Sequence, residues 1–196
     1  MILATALAAP VARLLLAGAL VLNVSIALAQ GVLVPPRPAA APANALATAA
    51  ANVGLKRCLP ALQRLSSAAV KNAKSNDVLL DWDRKRTNDS ATFAMIGMEY
   101  LNGGAAMSIT AVPEADGSCS VHAERISVAP FTCQSVAQQE LVGYRQTQLL
   151  PNFTVYTDGK DPTSSVSLID SPPGCLVIWR YVGFNWKEPS ALASPR

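Results

Sequence analysis

The chain contains one histidine, His122, and a Ser-His-Asp or Cys-His catalytic arrangement would have to use it as the base. No G-x-S-x-G turn occurs, and no spacing in the sequence places a nucleophile beside this histidine. Glu124 follows two positions later, so on a strand both side chains would share a face. We interpret His122 as a cross-strand polar residue, and a small secreted hydrolase that uses it is the alternative.

A second group of residues with metal-binding chemistry lies in the segment DWDRKRTNDS. Asp81, Asp83 and Asp89 offer the oxygen ligands that hard cations prefer. In a calcium loop, however, Lys85 would occupy a ligand position and Arg86 the position of the turn glycine. The sequence therefore predicts an exposed charged turn here, no metal site, and no cofactor anywhere in the chain.

The four cysteines indicate structural cross-links. Their wide spacing contains no C-x-x-C pair, which argues against a redox centre or a compact zinc knuckle. An even number of cysteines in an exported chain favours two disulfides. Three pairings are open, and we favour Cys119 with Cys133 and Cys58 with Cys175, which would tie each predicted helix to a strand.

The stretch after Ser171-Pro172-Pro173-Gly174 is rich in aromatic residues. Its side chains could be core and edge packing, or they could form a patch that faces a partner, because Trp, Tyr and Arg contribute most to interface energies. As binding residues we predict Trp179, Arg180, Tyr181 and Trp186. Strand alternation places Trp179 and Tyr181 on one face and Arg180 on the other.

The N-terminal region has the pattern of a targeting segment. Residues 1–29 carry one charged side chain, Arg13, then a mostly apolar run that ends in Ala27-Leu28-Ala29, as in a secretory signal peptide cleaved after Ala29. An uncleaved membrane anchor is the alternative. Residues 30–52, rich in Ala and Pro, are predicted to be a linker, and residues 188–196 a flexible tail.

Residues 53–187 are predicted to form one α+β domain with a largely antiparallel sheet of about six strands and two helices, stabilised by disulfides. Leu55, Leu59, Leu62, Leu65 and Ala69 recur at helical spacing, with Pro60 in the first turn, and a second helix runs from Thr132 or Ser135 to Gly143. No internal repeat is visible. The predicted strands are Asp77 to Trp82, Thr92 to Leu101, Ala105 to Val112, Cys119 to Val128, Phe153 to Thr157, Ser165 to Asp170 and Leu176 to Gly183.

Composition narrows the function class. The 196 residues are 51% hydrophobic and carry a formal charge of +3, which is too small for a nucleic-acid footprint. The sequence predicts a bacterial periplasmic or secreted small binding protein without catalysis, with an inhibitor, immunity-like or envelope accessory role. Its partner would be a protein or the envelope, with no nucleic acid and no stable membrane span after signal cleavage. A structural envelope subunit is a further alternative.

Overall fold

In the computed structural model, which describes residues 44–187, eight strands form one sheet in which every pair of neighbours is antiparallel. Across the sheet the order is β1-β2-β3-β4-β8-β7-β6-β5. The strands are β1 Ser75–Trp82, β2 Thr92–Tyr100, β3 Gly103–Pro113, β4 Cys119–Ala129, β5 Arg145–Leu150, β6 Phe153–Asp158, β7 Asp161–Ser171 and β8 Gly174–Trp186.

Three helices pack on the sheet: α1 Ala45–Asn52, α2 Leu59–Val70 and α3 Cys133–Glu140. Asn44 caps α1, since its side-chain oxygen accepts a hydrogen bond from the Ala47 N–H, and Thr132 caps α3 in the same way. Pro60 lies in the first turn of α2, where its missing N–H costs no helical hydrogen bond.

All three helices lie on the same face of the sheet. Directly paired residues of antiparallel strands share a face, and on this face the residues are buried in alternation along each strand. The core there has two clusters. The first, beneath α1 and α2, includes Leu46, Leu62, Ile96 and Ile109, and the second, beneath α3, includes Val136, Val166, Leu168 and Val177. No helix of residues 44–187 covers the opposite face, which we call the helix-free face.

The fold contains a structural repeat. Each half consists of a helix followed by four sequential strands, α2 with β1 to β4 and α3 with β5 to β8, and the halves meet where β4 pairs with β8. In each half a disulfide joins the start of the helix to the start of the fourth strand. Only the first half has an additional helix, α1, which packs on β1 and β2.

The α+β class and the antiparallel sheet are confirmed, but the predicted count of about six strands is wrong. Of the eight strands, β5 is the one that none of the seven predicted ranges covers, because its sequence RQTQLL is exposed throughout and shows no apolar alternation. The predicted count of two helices is also wrong, because α1 is a third.

Helix α1 lies within the range predicted as linker, so residues 45–52 belong to the folded domain. Leu46 and Ala50 are fully buried in the first core cluster. Alanine is the best helix former, and the last proline of this region, Pro42, precedes the cap at Asn44. The predicted signal peptide (1–29), the rest of the predicted linker (30–43) and the predicted tail (188–196) lie outside the described residues. Between residues 44 and 187, no helix is long and apolar enough to cross a membrane.

The two predicted disulfides are confirmed, but the favoured pairing is wrong. Cys58 bonds to Cys119 and Cys133 to Cys175, with Cα–Cα distances of 5.9 and 4.9 Å. The reason is the central strand pair: Cys119 lies opposite Trp186 and Cys175 lies opposite Ala129, at the two ends of the β4–β8 ladder. About 30 Å of strand separates these ends, so Cys119 cannot reach Cys133.

Candidate functional site

The four residues predicted to form a binding patch do not form one surface. Trp179, Tyr181 and Trp186 lie on the helix-covered face and are partly buried, Trp179 against the second core cluster and the other two against the first. Arg180 points to the helix-free face, where its side chain is exposed. The tyrosine also packs along its own strand, since a Cβ atom added at Gly183 would lie 2.8 Å from the Tyr181 hydroxyl.

His122 lies on the helix-free face in a short charged row. Its Nε2 atom is 3.4 Å from Oε1 of Glu124, and the Nε atom of Arg180 is 3.7 Å from the same oxygen. The cross-strand partners of His122 are Thr110 on β3 and Val182 on β8. These groups lie on an open sheet surface, and within the part of the chain that the structure describes, His122 has no hydrogen bond to a serine or threonine hydroxyl.

The acidic segment after β1 folds as a charged turn. The Asp83 carboxylate accepts hydrogen bonds from the backbone N–H of Lys85 and from Nε of Arg86. These bonds, led by that of Lys85, hold the pKa of Asp83 below its ordinary value. Over residues 44–187, no group of three or more His, Cys, Asp or Glu side chains is arranged to hold a metal ion.

The helix-free face carries large apolar side chains in direct register. Leu79 on β1 lies opposite Met95 on β2, and Phe93 is the next residue of β2 on the same face. Their exposed fractions are 70%, 47% and 51%. Single exposed apolar residues are common on protein surfaces, whereas these three side chains adjoin one another on one face of the sheet.

Beside these side chains lies a depression, which we call the apolar hollow. Its floor is the cross-strand pair Gly97 and Ala106, and its walls are Leu79 and Met95. The hollow encloses about 290 Å³. A Cβ atom added at Gly97 would meet nothing within 4 Å, so the space above this glycine is open to solvent.

One carboxylate lines the apolar hollow, and a second lies further along the same strand. Asp77 and Asp81 precede and follow Leu79 by two residues on β1, so all three side chains share the helix-free face. Asp77 also lines the hollow. The surroundings of the hollow are therefore negative, and a cationic group on a partner would be attracted to them.

Sequence reasoning missed the apolar hollow, although two signals for it exist. The β2 sequence TFAMIGMEY is apolar at both parities, with Ala94 and Ile96 facing the helices and Phe93 and Met95 facing outward. A glycine in the middle of such a strand marks a place where another group approaches closely. Comparisons of the chain with protein-family models, curated proteins and solved structures give no match.

Proposed function

We propose that this protein is an exported, disulfide-stabilised binding protein without catalysis, with an inhibitor, immunity-like or envelope accessory role. Its binding site is the apolar hollow, and its partner is a protein that inserts an apolar side chain there. The observation that carries the proposal is the open, solvent-exposed glycine floor at Gly97 in the interior of a strand.

Gly97 lowers the stability of the fold relative to alanine, and neither its backbone conformation nor its packing requires a glycine. Glycine in a strand interior destabilises a protein by roughly 0.5–1 kcal/mol relative to alanine, because it loses more conformational freedom on folding. Gly97 does not adopt a positive φ, and a Cβ atom added at this position would lie more than 4 Å from every neighbouring atom of the described chain. The missing side chain instead leaves room above the pair Gly97 and Ala106, beside Met95 and opposite Asp77, as binding of a partner group would require.

The surroundings define the chemistry of the partner. Binding hot spots are apolar or aromatic anchors in pockets that exclude water, with charged groups at the rim that set orientation and association rate. Here the charged residue that lines the hollow is Asp77, and Asp81 follows further along β1 beyond Leu79, so the partner segment carries Lys or Arg beside its apolar anchor.

The disulfides support the proposed location. All four cysteines are oxidised, and each of them is at least nine-tenths buried in one of the two core clusters. Structural disulfides of this kind persist in the periplasm or outside the cell. Together with the targeting pattern of residues 1–29, they favour a periplasmic or secreted protein.

The test fills the hollow without disturbing the fold. A photo-crosslinking amino acid at Met95 is used in cells to trap the partner, in otherwise wild-type protein and in Gly97→Val. A Cβ atom at position 97 would meet nothing within 4 Å and valine prefers strands, so the thermal midpoint should stay the same or rise. We expect a discrete protein adduct in the wild type and at least a tenfold loss, roughly 1.4 kcal/mol, in the variant.

The control is Ser167→Val, which places the same valine side chain on the helix-free face of β7, far from the hollow and between Val155 and Ile178. It should leave the adduct unchanged. Equal adduct yield in Gly97→Val and wild type would contradict the proposal. An adduct that contains only a second copy of this chain would also contradict it and would identify a structural subunit instead.

A further inference from the structure

A polar cleft lies on the helix-covered face, on the other side of the sheet from the apolar hollow. It is bounded by α3 and by strands β5, β6 and β7, and its volume is about 580 Å³. This size is within the range of small-molecule binding sites. We call it the α3 cleft. Six polar side chains from these elements line it: Gln134, Gln138, Gln146, Thr154, Tyr156 and Asp170.

The structural repeat explains why the cleft exists. In the first half, α1 packs on β1 and β2, beside α2. The corresponding strands of the second half are β5 and β6, but only residues 130–132 connect β4 to α3, which is too short for a counterpart of α1. Within the described residues, no helix therefore covers β5 and β6 at the position that α1 occupies over β1 and β2.

The residues that β5 and β6 present on this surface are polar, so the surface suits polar contacts rather than the packing of an apolar helix. Where the first half places Leu80 and Ile96 under its helices, the second half places Gln146 on β5 and Thr154 and Tyr156 on β6. Among residues 44–187, none of the six polar side chains of the α3 cleft forms a hydrogen bond or ion pair with another protein group. Their donors and acceptors converge on one space and are free for a ligand.

The chemistry of these groups selects a ligand class. Glutamine amides and the hydroxyls of Thr and Tyr each donate and accept hydrogen bonds, as sugar hydroxyls do. Asp170 contributes one acceptor carboxylate, and within the described chain no lysine or arginine lines the cleft, which disfavours phosphate and other anions. The ring of Tyr156 adds an apolar surface beside the polar groups.

We propose that the α3 cleft is a binding site for a neutral saccharide. The inference does not depend on the proposed protein partner, because the two sites occupy opposite faces of the sheet and share no residue. A free sugar and the glycan of an envelope polymer offer the same chemistry, and the panel of probes below distinguishes them.

The experiment uses saturation-transfer NMR with the purified protein. The probes are maltotetraose, a chitotetraose of N-acetylglucosamine, a soluble peptidoglycan disaccharide-peptide and the free peptide of the same sequence. Binding of maltotetraose identifies the free-sugar source, and binding of either envelope-type glycan identifies the polymer source. We expect transfer to sugar protons of at least one glycan and none to the free peptide.

Two neighbouring residues of α3 give a matched pair of variants. Gln138 lines the cleft and Gln139 does not, and both are exposed on the same helix. Gln138→Ala should weaken sugar binding about tenfold, as expected for the loss of hydrogen bonds to one amide, whereas Gln139→Ala should bind like the wild type. Alanine favours helix, so neither change should lower the thermal midpoint.

Three results would overturn the inference. The first is the absence of transfer to every glycan at about 10 mM, a concentration that detects even millimolar affinity. The second is transfer to the free peptide alone, which would assign a peptide site. The third is equal sugar binding by Gln138→Ala and Gln139→Ala, which would place the sugar elsewhere on the protein.

Discussion

Removing either disulfide should cost about the same free energy of unfolding. The bonded cysteines are 61 residues apart in one pair and 42 in the other. Loop-closure entropy depends on the logarithm of loop length, so each bond stabilises the fold by about 4 kcal/mol, with a difference of a few tenths between them. The two loops follow one another without overlap, so the losses of stability from removing both disulfides should add.

The measurement compares denaturant unfolding of the wild type with two double variants, Cys58→Ala with Cys119→Ala and Cys133→Ala with Cys175→Ala. Equal losses near 4 kcal/mol are expected. A nested pairing, by contrast, would close one short and one very long loop, worth roughly 3 and roughly 5 kcal/mol. A loss below about 1 kcal/mol in either variant would refute the reasoning, because the loop would then contribute almost none of its calculated entropy.

Two further predictions follow from local geometry. Gly174→Ala should lower the free energy of unfolding by about 1–3 kcal/mol in denaturant melts, because its Cβ would lie 2.5 Å from the Ala129 carbonyl oxygen, whereas Gly97→Ala, with open space around it, should not. Acid should destabilise the protein: hydrogen bonds, chiefly from the Ser118 side chain to Asp116 and from Ser75 to Glu99, lower both carboxyl pKa values from 3.8 and 4.5. The stabilisation by these hydrogen bonds is fully present above the ordinary pKa values and is lost as pH falls through the lowered ones. The thermal midpoint should therefore decline from about pH 5 downward, and Asp116→Asn should reduce the decline. A midpoint that stays level to about pH 3 would contradict this.

The main architecture could be predicted from the sequence because its signals are local. Runs of branched and aromatic residues bounded by turn residues marked the strands from β1 to β4, and the glycines at 103 and 117, both with positive φ, mark the tight turns from β2 to β3 and from β3 to β4. The exceptions are also explained by local signals. The polar strand β5 lacks alternation. The alanine-rich sequence of α1 is typical of a linker, and only its contacts in the first core cluster identify it as part of the domain.

The disulfide pairing and the binding surfaces depend on long-range geometry. Which cysteines meet is decided by the antiparallel pairing of β4 with β8, and no local pattern specifies that pairing. Strand alternation placed Trp179 and Arg180 on opposite faces, as observed, but a patch that contains both would need a single face. The apolar hollow and the α3 cleft arise from neighbours on different strands and from the missing counterpart of α1.

The order of the cysteines along the chain bears on how the protein matures. Each bond joins one cysteine to the next in sequence, the first to the second and the third to the fourth. A chain that enters an oxidising compartment N-terminus first presents Cys58 and Cys119 before the other two thiols arrive. An oxidant that pairs thiols in order of arrival therefore makes the native bonds directly, and an isomerase that reshuffles disulfides has nothing to correct.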